Sequence, residues 1–386
     1  MKVAITGIGV VSALGHGKEP FWNGLVAGVS GIRPLRRCAR PNCPGAVGGE
    51  VPGLEARTFA RSPLGRRIDW VSLMALAATR LAVADAHFEG RLEPDRTGLA
   101  LGSSFANLNE TTQFLDKLFT RGVANPLLFP NLVMNAPLSY VSIELGITGP
   151  SAMLTEVELS GEAGLAWGVE LVAEGAVDVC LAGGVDELMP LFIDVLHRNG
   201  GLAEAARPYD PKARGAIPGE GAAVLVLEPS ERARARGARV YAYLSAPGSF
   251  AVPAPVHGWP QEAGPLAQGL ATIVADADVV VGAASGQPAV DRLEAEVLRL
   301  TRHGRPVTVT APRAAVGDFG AVGALSAAAA ALIVHEQLVP PTLGATSVPT
   351  EVDIVRERAR PSHARVVIVH GLARGGLCRA LRLEAA

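Results

Sequence analysis

Cysteine, aromatic residues and charge are all scarce in this chain of 386 residues, and each shortage removes a class of protein. Four cysteines, Cys38, Cys43, Cys180 and Cys378, are too few and too scattered for a disulfide framework and suit a reducing compartment. Cys38 and Cys43 are close together, but no second Cys or His pair follows at ligand spacing, so no metal site is expected. Charged residues make up 19% of the chain and leave a net charge of −2. The single basic cluster, residues 231–239, reads as a solvated helix end, so no nucleic-acid partner is expected. The longest apolar run, residues 321–334, falls short of the roughly 18 residues of a membrane-spanning helix. The first residues hold one lysine and pass directly into a strand pattern, unlike a signal peptide, so a cytoplasmic location is expected. Gly7 and Gly9 lack the third glycine and the acidic partner of a dinucleotide fingerprint, and no cofactor is expected.

Apolar residues, by contrast, supply 49% of the chain. That content exceeds the needs of an ordinary core and points to a further buried interface between subunits. Short β-branched runs alternate with Ala- and Leu-rich helical periods from residue 2 to residue 383, which argues for an α/β architecture. Strands are expected near 2–8, 98–103, 177–182, 222–228, 240–244, 278–281, 306–310, 365–370 and 378–383. Buried helices are expected over 68–86, 162–176 and 321–336. Each half opens on a strand and closes on an Ala-rich helix, dividing the chain into 1–238 and 239–386. Residues 126–138 and 246–264, both marked by prolines, read as loops.

The chain is organised around residues 149–161, which read as strand, sharp turn and helix. A group at such a corner sits in the field of unpaired helix N–H groups, where a thiolate or carboxylate is favoured. Glu158 stands there, followed by Ser160-Gly161 and, farther on, by Asp178-Val179-Cys180-Leu181-Ala182-Gly183-Gly184. With Arg207-Pro208-Tyr209-Asp210 and Gly219-Glu220-Gly221, this pattern resembles the β-ketoacyl synthases, the condensing enzymes of fatty acid and polyketide synthesis. The resemblance implies the internally duplicated, five-layered αβαβα thiolase-like fold. It also implies a cysteine at the corner and two histidines beyond it, which condensation needs as a thiolate and as stabilisers of the enolate and oxyanion. Here those positions hold Glu158, Ala283 and Asp318. The family's lysine is Arg313, and its terminal Gly-Phe-Gly-Gly loop is Ala373-Arg374-Gly375-Gly376.

A ketosynthase fold stripped of its catalytic groups resembles the chain length factor, or β subunit, of type II polyketide synthases. That resemblance implies a heterodimer with an active ketosynthase, an acyl carrier protein delivering the growing chain, and an acyl tunnel whose far end this subunit closes. Tunnel residues would be Leu108, Thr111, Thr112 and Leu115, on one side of a helix over residues 107–120. The partner would meet Phe129, Asn131, Val133, Met134, Asn135 and Leu138. The expectation for Glu158 is a structural carboxylate bonded to helix N–H groups. The alternative is a Glu158/Asp318 carboxylate pair doing acid–base chemistry on an acyl thioester or polyketide intermediate.

Overall fold

A computed structural model describes residues 1–88, 92–303, 306–346 and 352–386. The strands of the main sheet are β1 (Val3–Ser12), β2 (Thr97–Gly102), β3 (Ser151–Leu154), β4 (Val179–Asp186), β5 (Gly221–Pro229), β6 (Ala242–Ala251), β7 (Val279–Val281), β8 (Thr308–Thr310), β9 (Asp353–Ile354), β10 (Val366–Leu372) and β11 (Leu377–Glu384). The principal helices are α1 (Lys18–Val26), α2 (Trp70–Asp85), α3 (Leu108–Arg121), α4 (Ala136–Leu145), α5 (Ser160–Ala173), α6 (Pro190–Arg198), α7 (Ser230–Ala235), α8 (Ala263–Val274), α9 (Pro288–Thr301) and α10 (Val322–Glu336).

The strand order is β9-β8-β7-β10-β11-β6-β1-β5-β4-β2-β3, continuous through both halves of the chain. Outward from β1, the pairings with β5, β4, β2 and β3 run antiparallel, antiparallel, parallel, parallel. Outward from β6, the pairings with β11, β10, β7 and β8 repeat that sequence. The two series meet where β1 pairs with β6, Val3 opposite Leu244 and Ile5 opposite Ala242. This repetition is the duplication of the thiolase-like fold.

Layering follows from which helices are apolar all round. In α10 every residue from Val322 to Val334 is buried, and α5 is buried along most of its length. Both therefore lie in the middle layer, packed on each other and on strands of both halves. Their contact is close because it is built from small residues: a Cβ on Gly161 would stand 2.5 Å from the carbonyl oxygen of Ala321. Outside, α2 covers β1 and β5, while α8 packs on β6 and β11 with α9 against it.

Three local expectations change. β6 runs on to Ala251, into the stretch read as a loop, because Leu377–Ala380 of β11 pairs with Gly248–Ala251. Residues 126–138 are not one loop: a 3-10 turn spans Pro126–Asn131, and Pro137 sits in the first turn of α4, where its missing N–H costs nothing. The helix α6 went unread, with Pro190 again at its start.

Candidate functional site

The elbow forms where β3 ends. A 3-10 turn, Val157–Leu159, leads directly into α5. Val157 has φ of +51°, a left-handed conformation that a β-branched residue adopts only under constraint. The constraint is visible. Ser160 Oγ accepts the N–H of Glu156 at 3.0 Å and donates to the carbonyl of Val157 at 2.9 Å, and the Ser104 hydroxyl donates to that same carbonyl. The sharp corner thus persists one residue before Glu158.

What stands on the corner differs from the expectation. The donors of the turn are already engaged, Leu159 N–H by the Glu156 carbonyl and Glu156 N–H by Ser160, so Glu158 takes its partner from across the fold. Arg374 Nε donates to Glu158 Oε1 at 2.6 Å, and the backbone N–H of Arg374 donates to Oε2 at 3.2 Å. A charge-assisted pair to guanidinium outweighs what one turn of backbone could offer. Arg374 also lies over the Trp259 ring at 5.9 Å.

Asp318 is held likewise, accepting from Arg313 Nη1 at 3.1 Å and Gln287 Nε2 at 3.3 Å. Glu158 and Asp318 line one cavity of about 430 Å³, but among the described residues no hydrogen bond joins them, and each faces its own arginine. Among the described residues the lining of that cavity contains neither cysteine nor histidine. Ala283 is buried and is not part of that lining, its N–H donating to Glu294 Oε1 at 2.7 Å.

Glu294 anchors a buried network. Its carboxylate also accepts from Ala284 N–H at 2.9 Å and Tyr209 Oη at 2.7 Å, and pairs with His370 Nδ1 at 2.7 Å. Cys378 Sγ lies 3.7 Å from His370 Nε2. Burial opposes charge on His370, yet its bonds to Cys378 and Glu294 push its pKa up to about 10. Burial raises the carboxyl of Glu294, and the bonds from His370 and Tyr209 more than reverse this, leaving it below its ordinary value. Both His370 and Cys378 are buried and engaged in this network.

The motifs that survive intact have the same office. Tyr209, at φ +60°, donates its N–H to Asp291 Oδ2 at 2.8 Å. Glu220 accepts from the N–H groups of Val51 and Leu188 at 2.9 and 3.0 Å and from Trp70 Nε1 at 3.1 Å, and it pairs with Arg37. They fasten loops around the site.

Glu162, in the first turn of α5, was missed by sequence reasoning. It is fully buried and neither carboxylate oxygen has a partner among the described residues. A Cβ on Gly323 would lie 1.9 Å from that carboxylate, so the glycine provides its space. Burial pushes the carboxyl up to about 7, against the pull of Arg313. The folded state therefore holds a proton that the unfolded chain releases near pH 4.5, and stability falls as pH rises from about 4.5 to about 7 and stays reduced above. Glu162→Gln is expected to stabilise the protein by roughly 2–3 kcal/mol at pH 8 and to change little at pH 4.5. Urea midpoints at the two pH values measure this; an equal effect at both would contradict it.

The predicted tunnel stripe is not core. Leu108 and Leu115 are exposed, Thr111 and Thr112 are half-buried, and α3 has no buried residue. Among the predicted partner contacts, Phe129, Val133, Met134 and Asn135 are exposed. Asn131 and Leu138 are not available to a partner. Asn131 is buried, donating to the Arg67 carbonyl at 2.8 Å and accepting from Tyr140 Oη at 2.9 Å, and Leu138 packs into the core against α2. Phe105, also missed, lines the cavity. Asp186 Oδ1 fixes its loop by accepting from Ser103 Oγ at 2.6 Å and from the N–H groups of Ser104 and Phe105 at 2.9 and 3.1 Å.

Comparison with known proteins agrees with this geometry. Residues 1–233 match the model of the β-ketoacyl synthase N-terminal domain and residues 267–346 that of the C-terminal domain. The chain is 31% identical over 400 residues to the tetracenomycin polyketide synthase ketoacyl synthase beta subunit of Streptomyces glaucescens, covering 98% of this chain and 97% of that protein. It is 30% identical to the actinorhodin polyketide putative beta-ketoacyl synthase 2 of Streptomyces coelicolor, covering 97% and 96% respectively. The solved ishigamide ketosynthase/chain length factor superposes with a TM-score of 0.92 at 26% identity, covering 100% of this chain and 99% of that one. The protein belongs to the β-ketoacyl synthase family, and its relatives include β subunits of polyketide synthases. Among the described residues no helix is long and apolar enough to cross a membrane.

Proposed function

We propose that this chain is the non-condensing, chain length factor subunit of a type II polyketide synthase. It pairs in the cytoplasm with an active ketosynthase, receives no acyl chain on its own elbow, and limits chain length by closing the acyl tunnel at the shared interface. Acyl carrier protein supplies the chain to the pair. The observation that carries this reading is the cavity: where condensation needs a thiol and two imidazoles, its lining offers Glu158 and Asp318, each already bound to an arginine. A carboxylate cannot carry the acyl chain as the thioester that condensation requires. The side of α3 that carries Leu108 and Leu115, 37% and 41% exposed, supports the second half of the reading. We place the division of the two halves at 238/239, between α7 and β6.

A tunnel wall discriminates by volume, and forcing a methylene into a packed wall costs about 1–3 kcal/mol. Leu108→Trp and Thr111→Trp, co-expressed with the partner ketosynthase and carrier protein, are expected to shift products to shorter chains by mass spectrometry. Glu158→Ala is expected to leave condensation running. Abolished product from an assembled Glu158→Ala dimer would instead assign Glu158 a chemical role.

A further inference from the structure

A thiol, an imidazole and a carboxylate stand in line near the tip of the β10–β11 hairpin, outside the cavity lining. Register brings the first two together. Leu372 pairs with Cys378 and His370 with Ala380, so Cys378 and His370 are diagonal neighbours on one face of the hairpin. Glu294 of α9 reaches that face and holds His370 Nδ1 at 2.7 Å, which turns Nε2 toward Cys378 Sγ at 3.7 Å. Against the effect of burial, the bonds to Cys378 and Glu294 push the ring up to about 10, so it is protonated at neutral pH. A nucleophile, a base and a group that orients the base are the arrangement that activates a thiol.

The other three cysteines make the contrast. All four are buried, so exposure does not separate them. Burial pushes the Cys180 thiol up, with no charged group to offset it. Cys38 donates to the Leu188 carbonyl at 2.9 Å, and burial, against the pull of Arg37, pushes its thiol up to about 12. Cys43 Sγ has the amide oxygen of Asn42 at 3.9 Å. Cys378 has a ring nitrogen against its sulfur and lies directly below a turn. That turn is closed by the Ala373 N–H donating to the Leu377 carbonyl at 2.9 Å, with Gly375 and Gly376 at φ +80° and +90°. The Arg374 side chain on it is 48% exposed, so opening this one turn is a short route from solvent to the sulfur.

We propose that Cys378 is a modification site for hydroperoxides, oxidised to the sulfenic acid with His370 as its proton donor. In the reacting form Cys378 is the thiolate and His370 the imidazolium. Sulfur attacks the terminal hydroxyl oxygen of the peroxide, and the S–O bond forms as the O–O bond breaks. The leaving alkoxide or hydroxide takes the proton from His370 Nε2 and departs as alcohol or water. Sulfur loses two electrons and the peroxide gains them. Glu294 keeps the ring turned to the sulfur throughout. The assignment goes beyond the tunnel-closing reading above and does not depend on it.

The test treats the full native chain with hydrogen peroxide in the presence of dimedone, which traps sulfenic acids, and follows the four cysteine peptides by mass spectrometry. Adduct at Cys378 is expected to form about 10-fold or more faster than at Cys38, Cys43 or Cys180. His370→Gln is expected to slow it at Cys378 by about 10-fold or more and to leave the other three unchanged. A native rate at Cys378 no higher than at the other cysteines would overturn the assignment. So would an undiminished Cys378 rate in folded His370→Gln, because access and not the imidazole would then be in control. Should that variant unfold, labelling rises at all four cysteines together, and the comparison within the native chain decides alone.

Discussion

Replacing Glu294 with alanine is expected to cost about 3–5 kcal/mol of unfolding free energy, the range for breaking a buried pair by removing one partner. The carboxylate is fully buried and is shared by Ala283 N–H, Ala284 N–H, Tyr209 Oη and His370. Its loss strands several buried donors at once and leaves His370 as an unpaired charge or forces it to deprotonate. A urea titration at pH 7 measures the effect, and a loss below about 1 kcal/mol would show that the network relaxes around the gap. The sign of its pH dependence follows from His370. A folded pKa raised from 6.5 to about 10 makes the contribution full below about 6.5 and progressively lost as pH climbs toward 10. The penalty for Glu294→Ala should therefore shrink over that interval.

The paired substitution Phe119→Asp and Phe129→Asp is expected to weaken association with the ketosynthase partner by about 100-fold or more, some 2.7 kcal/mol. These rings are 82% and 63% exposed. Phe129 meets Phe114 of α3 at 6.5 Å, which ties the turn of residues 126–131 to the helix as one surface. Large apolar side chains with so little cover mark a surface completed by another molecule. Because neither ring contributes to the core, the isolated chain should keep its stability within about 0.5 kcal/mol. Analytical ultracentrifugation with the partner, paired with thermal unfolding of the subunit alone, separates the two effects. Undiminished association would move the interface elsewhere.

Strand and helix periods were legible because they are local: the Ala-rich run of α10 and the β-branched run of β1 announce burial whatever surrounds them. The elbow was legible from small residues at fixed spacing, and so was the coincident change at positions 158, 283 and 318. The partner of Glu158 was not, since Arg374 lies 216 positions away. A signal did exist. An anionic residue at the corner and a cationic residue in the glycine loop are complementary departures from one family pattern, and read together they suggest an ion pair. Glu162 offered another, a carboxylate set among the Gly and Ala residues that open a buried helix. Asn131 and Leu138 were misplaced for the opposite reason. Their neighbours in sequence are exposed, but a 3-10 turn and a helix rotate successive residues through every direction, so adjacency says little about which of them faces a partner.

The pairing of β1 with β6 has a consequence for inheritance. Val3–Ile5 pairs with Ala242–Leu244 at the seam, and the middle-layer helices α5 and α10 bury small-residue faces against each other. Neither half would keep a closed edge or a polar exterior if it travelled without the other. An exchange of sequence within the chain would therefore have to carry both sides of the β1–β6 seam together to leave no open strand edge.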